Sequence, residues 1–225
     1  MEIIASELRN FLHLKSFEYS TEDYPFKETL ENIYGCKLDS LHKFLGQYDI
    51  FELKNDQTTL AHKVFYSNFN EKIKPIYERF IKEVILKIVK PNKFYYQVIP
   101  TVRIGLPGNK FVGEFHKDSH YNHQSYELNF NLGLSNYLGD AALKTEKSPN
   151  SKTWITLECP YGKIFSFDHI DCLHGSSVNK SSKTMVSFDF RLALKDLYFE
   201  TDASSVNLDS KFKPGYYFSS QCLGD

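Results

Sequence analysis

No hydrophobic run in this sequence is long enough to cross a bilayer; the most apolar stretch, Phe80 to Val89, is broken by Lys82, Glu83 and Lys87. The opening MEIIASELRNFLHLKS carries Glu2 and Glu7 and lacks a basic region leading into an apolar one, so it does not read as an export signal. Cysteine is sparse: Cys36, Cys159, Cys172 and Cys222 form no CxxC pair and no dense framework. Free thiols and a cytoplasmic location are expected, and the Asn179-Lys-Ser sequon is read as fortuitous. An excess of one charge is missing too. With 27 basic residues against 28 acidic ones and no basic stripe, neither a nucleic acid nor a membrane surface is expected as partner. The sequence also lacks a Walker loop, a GxGxxG, an HExxH and a nucleophile elbow, which removes support for nucleotide-dependent and hydrolytic chemistry. A small-molecule partner remains, and the oligomeric state is not encoded in any pattern.

What is present in quantity is aromatic and apolar material. Nineteen Phe, 15 Tyr and a 41% hydrophobic content supply a sizeable core, so 225 residues are expected to form one folded domain over 1–225. Its character changes near Pro91. Residues 1–91 read as mainly helical support. Ile73, Ile76, Tyr77, Phe80, Val84 and Ile88 recur at three- and four-residue steps, predicting a helix over 71–89 with Asn70 as N-cap and an uncertain first turn at Pro75. Shorter helices are predicted over 26–33 and 38–45.

Residues 92–195 read as short strands separated by turn residues: 94–106, 112–116, 126–134, 141–146, 153–158, 163–167, 171–175 and 183–194. In the third, Glu127, Asn129 and Asn131 alternate with Leu128, Phe130 and Leu132. Helices gathered before such a run imply an α+β fold, with helices bracing one sheet of a closed or double-sheet β structure. Residues 196–225 read as a tail that packs back through Tyr216, Tyr217 and Phe218.

Five of the eight histidines fall between 116 and 174. In extended chain, residues two apart project from one face, so His116 and Asp118 can grip one metal ion together. His174, near the last strand pair, is the best third ligand, and Asp118 with His120 is a rival pair. Two histidines and a carboxylate on one face of an octahedral ion leave room for further ligands, which suits non-haem Fe(II). His123, Asp168, His169 and Asp171 are expected to be loop or supporting groups.

The ordered set Gly113-Glu-Phe-His-Lys-Asp, Glu127-Leu-Asn-Phe, Leu173-His-Gly, Asn179 and Val186-Ser-Phe-Asp-Phe-Arg191 resembles the Fe(II)/2-oxoglutarate-dependent oxygenases. The closest branch is that of the streptomycin-biosynthesis hydroxylase-like proteins, and phytanoyl-CoA dioxygenase is more distant. The resemblance runs from Thr101 to Arg191, less than half of the chain. It implies a double-stranded β-helix (jelly roll, cupin-like), Fe(II) held by His116, Asp118 and His174, and 2-oxoglutarate and O2 as cosubstrates. The implied reaction hydroxylates a small polar metabolite and releases succinate and CO2.

One position departs from the pattern. Many relatives carry an arginine eleven residues past the distal histidine to bind the far carboxylate of 2-oxoglutarate; here that position is Met185, whose thioether cannot pair with a carboxylate. Arg191 is ranked first as its replacement although six extended residues, ~20 Å, separate the two. Arg103 and Lys144 compete with it, Ser187 lies on the same strand face, and Asn129 is a candidate for the carboxylate nearer the metal. Two alternatives keep the fold: a cupin-like metal isomerase or dioxygenase that does not use 2-oxoglutarate, and a catalytically inactive binding protein.

Overall fold

A computed structural model describes residues 5–48, 57–110, 114–136, 138–205 and 210–224. The helical half is α1 (Ala5–Leu12), α2 (Phe26–Tyr34), a 3₁₀ turn at Leu38–Ser40 leading into α3 (Leu41–Leu45), and a long rod. The rod runs through α4 (Leu60–Asn68), a π segment (Phe69–Ile73), α5 (Lys74–Phe80), a second π segment (Ile81–Ile85) and α6 (Leu86–Val89). It therefore starts well before the expected residue 71. Its apolar stripe continues backward through the buried Phe69, Phe65 and Ala61, and the cap is Thr59, whose hydroxyl accepts from the His62 amide, rather than Asn70. Pro75 has no amide to donate, and the first π segment immediately before it lets the rod continue without that bond. Among the described residues, no helix is long and apolar enough to cross a membrane.

One strand lies in the half expected to be helical. β1 (Lys15–Glu18) joins the edge of a sheet whose other strands follow Pro91. The remaining strands are β2 (Phe94–Tyr96), β3 (Thr101–Gly105), β4 (Glu127–Gly133), β5 (Leu143–Glu146), β6 (Trp154–Leu157), β7 (Lys163–Ser166), β8 (His174–Ser176) and β9 (Met185–Leu194). The single strand expected over 94–106 is split around Pro100 into β2 and β3, and both pair with β9. Of the strand expected over 112–116, Val112 and Gly113 lie outside the described residues; His116 makes an isolated bridge to His174.

All pairing between these strands is antiparallel. The larger sheet runs β1-β7-β4-β9-β2, with β3 also on β9, and the smaller runs β6-β5-β8. Period-two alternation gives the larger sheet two different faces. Val102, Ile104, Leu128, Phe130, Leu132, Val186, Phe188, Phe190 and Leu192 share one core with the helices. The opposite face of β9 presents Met185, Ser187, Asp189 and Arg191; the smaller sheet packs on its Met185 end and the C-terminal tail on its Ala193 end, and all ten β9 residues are buried. Met185 packs with Leu143, Leu157, Cys159 and Phe167. That apolar cluster accounts for a thioether where a guanidinium was looked for. Gly133 is forced by close approach, since a Cβ there would stand 2.0 Å from the Cys159 carbonyl oxygen. The tail packs as expected through Tyr217 and Phe218, whereas Tyr216 is exposed.

Candidate metal centre

His116 Nε2, Asp118 Oδ1 and His174 Nε2 converge, all within 4.8 Å of one another, with the carboxylate oxygen 3.3 Å from the first imidazole and 3.2 Å from the second. The backbone produces this in short steps. His116 and His174 exchange amide bonds of 3.0 and 2.9 Å, which locks their strands side by side. Lys117 is extended, so Asp118 projects to the side of His116 before the chain turns into a 3₁₀ helix over Asp118–Tyr121, ended by Asn122 in the left-handed region. The Asp118 amide donates to the His169 carbonyl at 2.8 Å. Gly175 is the second glycine fixed by approach: a Cβ there would lie 3.0 Å from the Phe115 ring and 3.2 Å from the Phe115 Cα. Only a bare α-carbon lets the His116 segment come this near to β8.

The histidine tautomers follow from their partners. His116 Nδ1 donates to the Glu114 carbonyl at 2.7 Å and His174 Nδ1 to the Cys172 carbonyl at 3.1 Å. A carbonyl can only accept, so the proton of each neutral ring sits on Nδ1 and each Nε2 presents a lone pair. Two lone pairs and a carboxylate oxygen then face one another. Three acceptors at this range call for a cation between them, and the N₂O donor set suits Fe(II).

Arg191 closes the other side of the carboxylate, its Nη2 lying 2.7 Å from Asp118 Oδ2 and 3.1 Å from Asp189 Oδ2. Burial alone would raise the Asp118 carboxyl, but the Arg191 guanidinium beside it outweighs that and holds the group well below the usual carboxylate range. Burial disfavours charge on Arg191 as well, and Asp189 and Asp118 overcome it, keeping the guanidinium firmly protonated. Arg103 Nη2 reaches the same Asp189 oxygen at 3.5 Å. Arg103 stands opposite Ser187 in the β3–β9 register, and the Ser187 hydroxyl is buried without a partner. Arg103, His116, Asp118, His174, Asp189 and Arg191 line a small pocket together with Asn131, Leu143 and Phe167, with Ser187 outside the lining.

The remaining expected residues fall outside this lining. Asn129 is buried beside Arg191 in the register; with its amide turned to donate, Nδ2 reaches Asp189 Oδ1 at 2.8 Å. Lys144 Nζ instead donates to Ser177 Oγ at 3.2 Å. His120 is exposed and stands apart from the converging triad. His123 pairs with the buried Glu127 at 2.7 Å. Asn179 Nδ2 donates at 2.8 Å to both the Gly105 and the Lys183 carbonyls, tying the loop after β8 to the end of β3.

Sequence reasoning missed Arg9. From α1 its guanidinium bonds Asp168 at 3.1 Å, Asp171 at 3.0 Å and the Ser125 carbonyl, fixing the loop that carries His169. Within that loop Asp168 Oδ1 also accepts the Ile170 and Asp171 amides. Nothing local marks a lone arginine on an amphipathic helix as the partner of residues 159 positions away.

Two histidines and one carboxylate closing on a point between two antiparallel sheets have the form of the facial triad found in non-haem iron oxygenases. No family model matches the chain. Its sequence is similar to the streptomycin biosynthesis protein StrG of Streptomyces griseus, with 26% identity over 200 residues, 89% of this chain and 94% of that protein. The similarity to this streptomycin biosynthesis protein thus extends over nearly the whole chain. Similar solved structures include the non-heme monooxygenase ThoJ in apo form, at 10% identity and a TM-score of 0.49 over 93% of this chain and 85% of that one. The non-heme alpha ketoglutarate dependent carbocyclase SnoK from nogalamycin biosynthesis matches at 10% identity and a TM-score of 0.45, over 86% and 87% of the two chains.

Proposed function

We propose that this chain is a 2-oxoglutarate-dependent oxygenase: a double-stranded β-helix, acting as a single unit over 1–225, in which His116, Asp118 and His174 hold Fe(II). The reaction hydroxylates a small polar metabolite in the cytoplasm and converts 2-oxoglutarate and O2 to succinate and CO2. One observation carries this reading. Two imidazole lone pairs and a buried carboxylate oxygen meet with Nδ1–H committed elsewhere on both rings, an arrangement a divalent cation completes.

The charges of the lining support the same cosubstrate. Asp118 and Asp189 balance Arg103 and Arg191. A divalent ion adds two positive charges, and a dianionic 2-oxo acid restores neutrality in a poorly solvated space.

Fe(II), when bound, supplies dioxygen activation and open positions for a chelating 2-oxo acid. The protein's own groups position the partners. Arg103, with Ser187 Oγ beside it, is assigned to the far carboxylate of 2-oxoglutarate, displacing Arg191 from first rank; Arg191 is assigned to Asp118. Leu143 and Phe167 supply apolar wall against water. The relative's role in streptomycin biosynthesis supports a small-metabolite substrate.

The test is an anaerobic titration with Fe(II) and then 2-oxoglutarate. A visible metal-to-ligand charge-transfer band is expected in the wild type and absent in His116→Ala and His174→Ala, each retaining a folded circular-dichroism spectrum. Iron binding without the band would favour an isomerase or a dioxygenase independent of 2-oxoglutarate. Absence of stoichiometric metal would leave a binding protein of the same fold.

A further inference from the structure

The inner face of β9 and its neighbours carries four charges in alternating order: Asp118, Arg191, Asp189 and Arg103, with successive separations of 2.7, 3.1 and 3.5 Å. Asp118 is at one end, against the imidazoles, and Arg103 at the other, against Ser187. Asp189 belongs to neither end. Its Oδ2 is shared between the two guanidinium groups, and its Oδ1 is within 2.8 Å of the Asn129 amide once that amide is turned to donate. A carboxylate held from three sides, 8% exposed, has little freedom to swing toward a different partner.

We propose that Asp189 is a positioning residue that divides its charge between the metal seat and the anion anchor, and so couples the affinities of the two ligands. The inference rests on the reading of the site given above. Asp189 draws part of Arg191's charge away from Asp118, which leaves Asp118 Oδ1 a stronger donor to a cation. The same carboxylate competes with an incoming anion for Arg103. Asp189 therefore favours the metal and opposes the dicarboxylate when each binds alone. A dicarboxylate bound at Arg103 takes up that guanidinium's charge, so the fixed Asp189 carboxylate acts more fully on Arg191, which strengthens Asp118 as a ligand in turn. Metal and cosubstrate then reinforce one another through side chains as well as through direct chelation.

The distinguishing consequence is a pair of effects of opposite sign. Asp189→Asn should weaken Co(II) binding to the otherwise intact protein at least roughly tenfold, the size expected for loss of one charge within ~10 Å at an effective dielectric of about 20. In the same variant 2-oxoglutarate should bind the Co(II)-loaded protein several-fold more tightly. Arg103→Met should give the mirror image, with tighter Co(II) and weaker 2-oxoglutarate.

Both affinities are read by calorimetry in the absence of oxygen, with Co(II) alone and 2-oxoglutarate as the probes. Melting curves of the same samples verify folding, and turnover is not needed. Loss of both affinities together in Asp189→Asn, or no change in either, overturns the coupling, as does an Arg103→Met protein whose Co(II) affinity falls. A wild-type protein that binds no Co(II), or that binds it without then taking 2-oxoglutarate, overturns the functional reading and the inference with it. The wild-type titration thus separates the two failures.

Discussion

Arg191 Nη2 lies 2.7 Å from Asp118 Oδ2, joining two buried residues 73 positions apart in the sequence. The contact occupies one carboxylate oxygen and leaves the other, Oδ1, facing both imidazoles. Arg191 therefore acts on the residue proposed as a metal ligand. Arg191→Met should reduce metal affinity by about 10- to 100-fold, the usual cost of losing a group that orients a ligand, because a carboxylate left to rotate loses more than it gains from the removal of a competing cation. Arg103→Met should instead raise the 2-oxoglutarate requirement by about 10- to 150-fold, corresponding to a charge-assisted pair of about 1.5–3 kcal/mol. Chelator competition and the 2-oxoglutarate dependence of succinate formation measure the two separately; a larger 2-oxoglutarate effect from Arg191→Met would reverse the assignment.

Gly175 predicts a steric effect on the metal seat. In Gly175→Ala the new methyl meets the Phe115 ring at 3.0 Å and the Phe115 backbone at 3.2 Å. The ring can give way but the backbone cannot without shifting His116. Metal affinity should fall while the helical core stays intact, giving weaker Co(II) binding with an unchanged far-ultraviolet spectrum. Unaltered Co(II) affinity would show that the His116 segment adjusts freely.

Arg9→Met leaves Asp168, 1% exposed, as a buried carboxylate without its cation. Breaking a buried pair from one side costs about 3–5 kcal/mol. The measurable result is a lower urea midpoint. The loop also supplies the carbonyl that accepts the Asp118 amide, so metal affinity should fall as well. A midpoint within error of wild type would mean that the N-terminal helix is not tied to the site.

All four cysteines are free. Burial pushes the thiols of both Cys159 and Cys172 up to about 12 from an ordinary 9.0. In the native protein at pH 8 these two should resist a thiolate-specific reagent, and all four should react after unfolding. The same shift links stability to pH. Between about pH 9 and 12 the folded thiols keep protons that the unfolded chain has lost, so the unfolded state binds fewer and stability declines as pH rises. The contribution is fully present below pH 9. Cys159→Ala should flatten the alkaline limb of a pH–stability curve, and a slope unchanged by that substitution would remove Cys159 as its source.

The strands after Pro91 were legible because alternation of Glu127, Asn129 and Asn131 with Leu128, Phe130 and Leu132 is a local signal, and the long helix because its stripe recurs every three to four residues. Both were misjudged where a local signal was weak or absent. β1, Lys15–Glu18, has little apolar character and exists because the edge of β7 is there to pair with it. The start of the long helix is misplaced from sequence because Asn70 reads as an N-cap and Pro75 unsettles the turn after it, while the helix runs on through a π segment there.

By itself the sequence determined the alternation of β9, and with it the grouping of Ser187, Asp189 and Arg191 on one face, together with the His-x-Asp spacing and the glycine after His174. It could not determine which arginine stands where. The partners of Arg191, Arg103 and Arg9 come from strands and loops distant in sequence, and hydrogen-bond reach of about 3 Å is a property of packing rather than of spacing. Antiparallel register set Arg103 opposite Ser187, the smaller sheet buried Met185 among apolar neighbours, and the turn after Lys117 carried Asp118 to Arg191. Only tertiary structure made those decisions, because the cost of burying a charge is offset by whichever opposite charge the fold brings beside it.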